Sequence, residues 1–109
     1  MILLEKNKSI LIVDSATQGL YLLFKSLSST KSVILHPNTC LHVYMAALHA
    51  KKKIYFVDID PKTSNFKKDK LEEKFNQIKE KHDEIPLVVI VHLFGITCPL
   101  EIINLCNRK

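Results

Sequence analysis

Short apolar runs and helical apolar stripes alternate along this chain from residue 10 onward. Residues 10–13, 33–35 and 54–57 are apolar runs with the length of buried strands, and each ends at a polar or turn-forming residue. The longest β-branched run, residues 87–93, lacks polar alternation and is predicted to be the central strand of a sheet. Because strands that alternate with helices favour parallel βα units, the sequence predicts an α/β fold with a mostly parallel sheet.

Four helices are predicted between and after these strands. Asp69 and Glu72 have capping-box spacing at the start of the third helix, and Pro99 opens the fourth. Apolar residues three and four positions apart define the face that each helix should turn towards the sheet. These faces are Leu20, Leu23, Phe24 and Leu27; Leu41, Met45 and Leu48; Leu71, Phe75 and Ile78; and Leu100, Ile103 and Cys106.

Length and charge limit what such a chain can be. With 109 residues, of which 47% are hydrophobic, one core is the most it can build, and covering both faces of a parallel sheet would leave apolar edges exposed. We therefore expect residues 1–109 to be a single partial domain. The net charge of +5 comes mainly from lysines spread through the middle of the chain, which is typical of a solvated surface. No nucleic-acid partner is predicted.

The cysteines and the hydropathy pattern indicate in which cellular compartment the protein is expected. Cys40, Cys98 and Cys106 are widely spaced and lack a CxxC pair, so reduced thiols are expected and no metal site is predicted. No apolar stretch approaches the roughly 20 residues of a membrane span. These features favour a soluble cytoplasmic protein without a membrane partner.

The first predicted strand-to-helix junction is a candidate anion site. Asp14, Ser15, Ala16 and Thr17 lie where free backbone N–H groups and the helix dipole can hold a phosphate, and the two hydroxyls add donors. Ser and Thr are also ordinary helix N-caps. The residues alone leave both interpretations open.

Other polar residues are open to a structural and a chemical interpretation. Asp58 and Asp60 fall on the same side of the third strand at its carboxyl end, where they could bind a metal or serve acid–base chemistry. Two acidic residues before a proline are common where a strand leaves a sheet, so the structural interpretation is preferred. None of the five histidines has HxxxH or HExxH spacing. His92 is placed near the carboxyl end of the predicted central strand, where open α/β sheets bind ligands.

Two motifs carry a family resemblance. Residues 54–61, IYFVDIDP, followed by Thr63, Asn65 and Leu71, resemble the "FVDIDP.T.N" segment of DegT/StrS-family sugar aminotransferases. Residues 91–95, VHLFG, resemble the "VHLYG" strand end of the same family. The resemblance covers residues 10–107. It implies an incomplete fold-type-I large domain and pyridoxal 5′-phosphate (PLP) as the cofactor.

The resemblance also implies which residues contact that cofactor. Ser15, Ala16 and Thr17 occupy the place of an "SGT" turn that holds the phosphate, with Ala16 in place of its glycine. An alanine would weaken the site if the position requires a positive φ, whereas a regular helix start would tolerate it. Leu41 occupies the approximate position of an aromatic residue that stacks on the pyridine ring.

The resemblance further implies that the catalytic residues of the family lie beyond this segment. These are the aspartate that binds the pyridine nitrogen and the lysine that binds the cofactor covalently, so no catalytic residue is assigned here. The expected function is that of an N-terminal part of an aminotransferase acting on a keto-sugar nucleotide, either as a homodimer or with a separately encoded C-terminal part. A non-catalytic remnant or interaction module is the alternative, and a small flavodoxin-like domain is a third possibility.

Overall fold

A computed structural model describes residues 2–5 and 8–108; residues 1, 6, 7 and 109 lie outside the described part. Seven strands and four helices occur in this part of the chain, and helices follow the strands in the order expected of βα units. The strands are β1 (Ile2–Glu5), β2 (Lys8–Leu11), β3 (Ser32–Leu35), β4 (Lys53–Phe56), β5 (Ile59–Asp60), β6 (Asn65–Phe66) and β7 (Leu87–Val88). The helices are α1 (Ala16–Ser26), α2 (Leu41–His49), α3 (Lys68–His82) and α4 (Leu100–Arg108).

A parallel sheet of order β4-β3-β7 forms the centre of the molecule. Val33 pairs with Ile54 on one side and with Leu87 on the other, and both pairings are parallel. All four residues of β3 are buried, since this strand has a neighbour on each edge and helices on each face. The predicted α/β class with a parallel sheet is confirmed.

Alternation along β3 divides the core into two halves. Val33 and Leu35 belong to one buried cluster, which α1 and α2 complete with Phe24, Ala46 and Ala47. Side chains at successive strand positions point to opposite faces, so Ile34 enters the other half of the core. That second half is built by α3 and α4 with the buried side chains of Phe66, Leu71, Phe75, Ile78, Cys98, Ile102 and Leu105.

The two pairs of short strands outside this sheet are antiparallel. Strand β1 pairs with β2, and β5 pairs with β6. The prediction that residues 10–13 form a first buried βα strand is therefore wrong, because β2 forms a hairpin instead of joining the parallel sheet. Ile10, Leu11 and Ile12 are exposed as a consequence.

Strand β7 corrects the prediction of a central strand over residues 87–93. Its regular pairing covers only Leu87 and Val88, and Val89 N–H adds one further bond, of 3.1 Å, to the Ile34 carbonyl. It lies at the edge of the sheet and is only half-buried. The turn that follows it begins at Leu93, and both Phe94 and Gly95 have positive φ.

The predicted apolar faces of the helices are only partly correct. The Leu71, Phe75 and Ile78 face of α3 is buried as predicted. In α4, Leu100 is 68% exposed, Ile103 and Cys106 are partly buried against the core, and the fully buried residues are Ile102 and Leu105.

The leucines of α1 and α2 show the same limitation. In α1, Phe24 of the predicted face is buried and Leu20 packs against the core, but Leu23 and Leu27 are exposed. In α2, Leu41 and Leu48 are exposed, and the buried residues are Ala46 and Ala47.

The start of α3 differs from the predicted capping box. The helix begins one residue before Asp69, its N-cap is Lys67, and within the described part of the chain the side chain of this lysine makes no capping hydrogen bond. No helix of the described residues is long and apolar enough to cross a membrane.

Candidate functional site at the carboxyl ends of β3 and β4

A cavity of about 310 Å³ opens where β3 and β4 end and α2 begins. It is lined by Pro37, Thr39, Leu41, Tyr44 and Phe56. Ligands of open α/β sheets bind outside the carboxyl ends of the strands. The mainly apolar lining fits a flat organic group better than a free ion.

Leu41, the predicted ring-stacking residue, lies at the mouth of this cavity and is 67% exposed. Beside it, the rings of Tyr44 and Phe56 are stacked, with centroids 6.0 Å apart and planes inclined by 21°. The sequence reasoning missed this pair. Tyr44 is three residues after Leu41 on the helix, a spacing that places both side chains on one face and could have indicated Tyr44, but not its stacking on Phe56.

The predicted phosphate residues lie at the N-terminus of α1. Ser15 is the N-cap: its Oγ accepts a hydrogen bond of 3.1 Å from Gln18 N–H. Gln18 Oε1 in turn accepts one of 2.9 Å from Asp14 N–H. The Ser15 hydroxyl therefore acts as the N-cap of α1, and its oxygen already accepts a hydrogen bond from the first turn of the helix.

The backbone N–H groups of Ala16 and Thr17 are the donors at the start of α1. In the described part of the chain, neither of their backbone N–H groups has an acceptor, as expected for the first turn of a helix. Ala16 is the first residue of α1 and does not have a positive φ. The alanine is therefore compatible with the backbone here, and the glycine of the related turn is not required for its conformation.

This donor set fits a small anion in part. Two N–H groups, the Thr17 hydroxyl and the positive end of the helix dipole favour a phosphate. The exposed carboxylate of Asp14 lies one residue before the N-cap, and its negative charge opposes phosphate binding. The cavity lined by Leu41 does not include Ser15, Ala16 or Thr17, so the structure does not place the two parts of the predicted site in one cavity.

His36 lies directly after β3 and is fully buried. In the described residues, neither of its ring nitrogens has a hydrogen-bond partner. Burial lowers the pKa of this imidazole, and the side chain of Asn38 opposes that shift. His36 is therefore held neutral next to the cavity, although its sequence context gave no such indication.

Asp58 and Asp60 lie in different surroundings. Asp60 Oδ1 accepts a hydrogen bond of 2.9 Å from Lys62 N–H, and the Asp60 carbonyl accepts one of 2.9 Å from Ser64 N–H, so this residue stabilises the turn between β5 and β6. Asp58 lines a cavity of about 250 Å³ that also includes the ion-paired Lys70 and Glu73. Among the described residues, no group of three or more His, Cys, Asp or Glu is placed to hold a metal ion.

His92 stabilises the loop that follows β7. Its Nδ1 accepts a hydrogen bond of 2.8 Å from Cys98 N–H, which closes the segment between the 3₁₀ turn and α4. This contact gives His92 a structural role at the sheet edge.

The fold defines an α/β protein with a parallel sheet, an apolar cavity at the carboxyl ends of two of its strands and, among the described residues, unpaired backbone donors at the N-terminus of α1. The chain belongs to the DegT/DnrJ/EryC1/StrS aminotransferase family, whose model matches residues 4–109. A search of curated proteins gave no match.

A solved structure with the same fold is a DegT DnrJ EryC1 StrS aminotransferase from Brucella abortus. The TM-score is 0.70 and the sequence identity is 20%. The similarity covers 83% of this chain and 25% of that one, so the chain spans a quarter of the length of this relative.

Proposed function

We propose that this chain supplies the cofactor-phosphate part of a PLP-dependent aminotransferase large domain. The match of the family model over residues 4–109 carries this proposal. The parallel sheet and the free donors at the start of α1 support it. When bound, PLP supplies the electron sink that labilises bonds at the amino-acid carbon.

The residues of this chain would bind and orient the cofactor. The N–H groups of Ala16 and Thr17 and the Thr17 hydroxyl would hold the phosphate, because they are donors at the positive end of α1. Leu41 would provide an apolar contact with the ring, next to the stacked Tyr44 and Phe56. Ser15 would act indirectly, by fixing the first turn of the helix.

The catalytic groups would come from outside this segment. None of its lysines lies in a context resembling the family's "SxHxxK" segment. We therefore place the covalent lysine and the pyridine-binding aspartate elsewhere in the assembled enzyme. The complete enzyme would transfer an amino group from an amino acid such as glutamate to a keto-sugar nucleotide in the cytoplasm, as a homodimer or with a separately encoded C-terminal part.

A non-catalytic interaction module is the second candidate. Three observations favour it: the Ser15 hydroxyl is engaged in the N-cap, the Asp14 carboxylate stands beside the donors, and Leu41 is largely exposed. Such a module would retain the family fold without binding the cofactor.

Calorimetric titration with PLP and with pyridoxal separates the two candidates. The proposal predicts saturable binding of PLP that pyridoxal, which lacks the phosphate, does not reproduce. Thr17→Val should weaken PLP binding by about fivefold or more through loss of one donor to a charged group, and Thr97→Val, in an exposed loop, should leave it unchanged. Absence of PLP binding would favour the module.

Borohydride reduction tests where the covalent lysine lies. After reduction of the chain with PLP, peptide mass spectrometry should show no stoichiometric adduct on any one lysine. A single lysine labelled to completion would overturn the assignment of the catalytic lysine to another segment.

A further inference from the structure

A groove between β4 and α3 gathers positive charge around one aromatic ring. The ammonium nitrogens of Lys53 and Lys74 lie 5.3 Å and 5.9 Å from the centroid of the Tyr55 ring. The Tyr55 hydroxyl is 3.4 Å from His82 Nε2. These four side chains and Lys81 line a cavity of about 200 Å³, which we call the Tyr55 groove.

The elements explain why these side chains converge. Lys53 and Tyr55 are two residues apart on an edge strand, so both point to the face of the sheet that α3 covers. The face of α3 that borders this strand carries three further groove residues beside the buried Ile78: Lys74, Lys81 and His82. The site is thus built from rigid secondary structure.

The lining of the Tyr55 groove is basic. No acidic side chain of the described residues lines this cavity, and the ion pairs Lys68–Glu101 and Lys70–Glu73 involve lysines outside it. Acidic side chains line the two neighbouring cavities: one of about 190 Å³ shares Lys53 and His82 and includes Glu84, and one of about 250 Å³ shares Lys74 and includes Asp58 and Glu73. Lysines near the end of α3 also complement its dipole, but that explanation does not account for Lys53 or for Lys74 in the middle of the helix.

The Tyr55 groove is separate from the candidate cofactor site. His82 is the last residue of α3 and Lys53 the first of β4, so the groove opens at the amino end of the strand. The cavity at Leu41 lies at the carboxyl ends of β3 and β4 and shares no residue with it.

We propose that the Tyr55 groove binds a small phosphate-type polyanion through Lys53, Lys74, Lys81 and His82. Converging ammonium groups in a cavity without a carboxylate in its described lining attract a compact multivalent anion more strongly than a monovalent one. The Tyr55 ring holds the two nearest ammonium groups in place through cation–π contacts. This inference is independent of the proposed function.

Inorganic pyrophosphate is the probe, titrated into the 109-residue chain at low ionic strength and followed by ¹H–¹⁵N NMR. Saturable shift changes are expected at Tyr55, Lys74 and His82, with weaker binding of sulfate. Combined Lys53→Gln and Lys74→Gln substitutions should weaken pyrophosphate binding by about tenfold. The control variant Lys62→Gln with Lys67→Gln removes the same charge outside the groove and should bind as the parent does.

A second variant separates loss of charge from loss of the platform. Tyr55→Leu keeps all the cations but removes the ring and should also weaken binding, while Tyr55→Phe should retain it. Far-UV circular dichroism checks that each variant is folded. Three results would overturn the proposal: no saturable pyrophosphate binding by the parent chain, equal affinity for sulfate, or equal weakening in the control variant.

Discussion

The ring of His36 packs edge-on against Phe66, with centroids 5.1 Å apart and planes inclined by 74°. This contact joins the end of the central strand to the β5–β6 hairpin. It also encloses the imidazole in an apolar environment, where the charged form is disfavoured. The neutral state of His36 is therefore part of the folded structure.

Acid should destabilise the fold through this residue. The pKa of His36 is lowered in the folded state, while the unfolded chain keeps the ordinary value of about 6.5. Between these two values the unfolded state binds more protons, so the free energy of unfolding should fall as the pH drops below about 6.5. Chemical denaturation at a series of pH values measures this dependence.

A matched pair of variants isolates His36. His36→Leu should reduce the slope of stability against pH over this range, whereas His49→Gln, at an exposed position, should retain it. An unchanged slope in His36→Leu would show that another group is responsible.

Two leucines of α4 provide a test of the helix orientation. Leu105 is 5% exposed within the α3–α4 half of the core, and Leu100 is 68% exposed. Leu105→Ala should lower the free energy of unfolding by about 2–5 kcal/mol through the cavity it leaves, and Leu100→Ala should change it by less than about 0.5 kcal/mol. Urea denaturation measures both; the reverse ranking would mean that α4 turns its other face to the sheet.

Asn65 connects the β5–β6 hairpin to the segment after β7. Its Nδ2 donates a hydrogen bond of 3.1 Å to the Val91 carbonyl, and its Oδ1 accepts one of 2.9 Å from Phe66 N–H. Asn65→Ala should cost about 1–3 kcal/mol, because it leaves buried backbone groups without partners. Asn104→Ala, at an exposed position of α4, is the control in the same denaturation experiment. Equal stability of the two variants would argue against this role.

The start of α1 should behave as an ordinary capped helix. Ala16→Gly should lower stability by up to about 1 kcal/mol, because glycine increases the backbone entropy of the unfolded chain and no positive φ is relieved. Ser15→Ala should cost about 1 kcal/mol through loss of the cap. Thermal denaturation measures both effects. A stabilising Ala16→Gly substitution would indicate strain at this position.

The contrast between α3 and α4 shows what periodicity could predict. Leu71, Phe75 and Ile78 form a single apolar stripe on an otherwise polar helix, so only one face could be buried. In α4 the apolar positions 100, 102, 103, 105 and 106 cover more than one face. Tertiary packing therefore selects Ile102 and Leu105, and the sequence pattern could not.

The position of each strand within the sheet also could not be predicted from the local hydrophobic pattern. Residues 87–91 are all apolar, but an apolar run does not specify how many neighbours a strand has. Strand β3 became central because both of its edges are paired. At the site, the Ser15 cap follows from local spacing, whereas the Tyr44–Phe56 pair depends on how α2 packs over β4.

Residue-level mapping of PLP binding tests the central claim most directly. In ¹H–¹⁵N spectra of the 109-residue chain, PLP should shift the amide signals of Ala16 and Thr17, and pyridoxal should not. Shifts near Leu41 and Tyr44 should accompany them if the ring lies at the apolar cavity. No change at Ala16 and Thr17, or changes confined to Tyr55 and Lys74, would contradict the assignment of α1 as the cofactor-phosphate site.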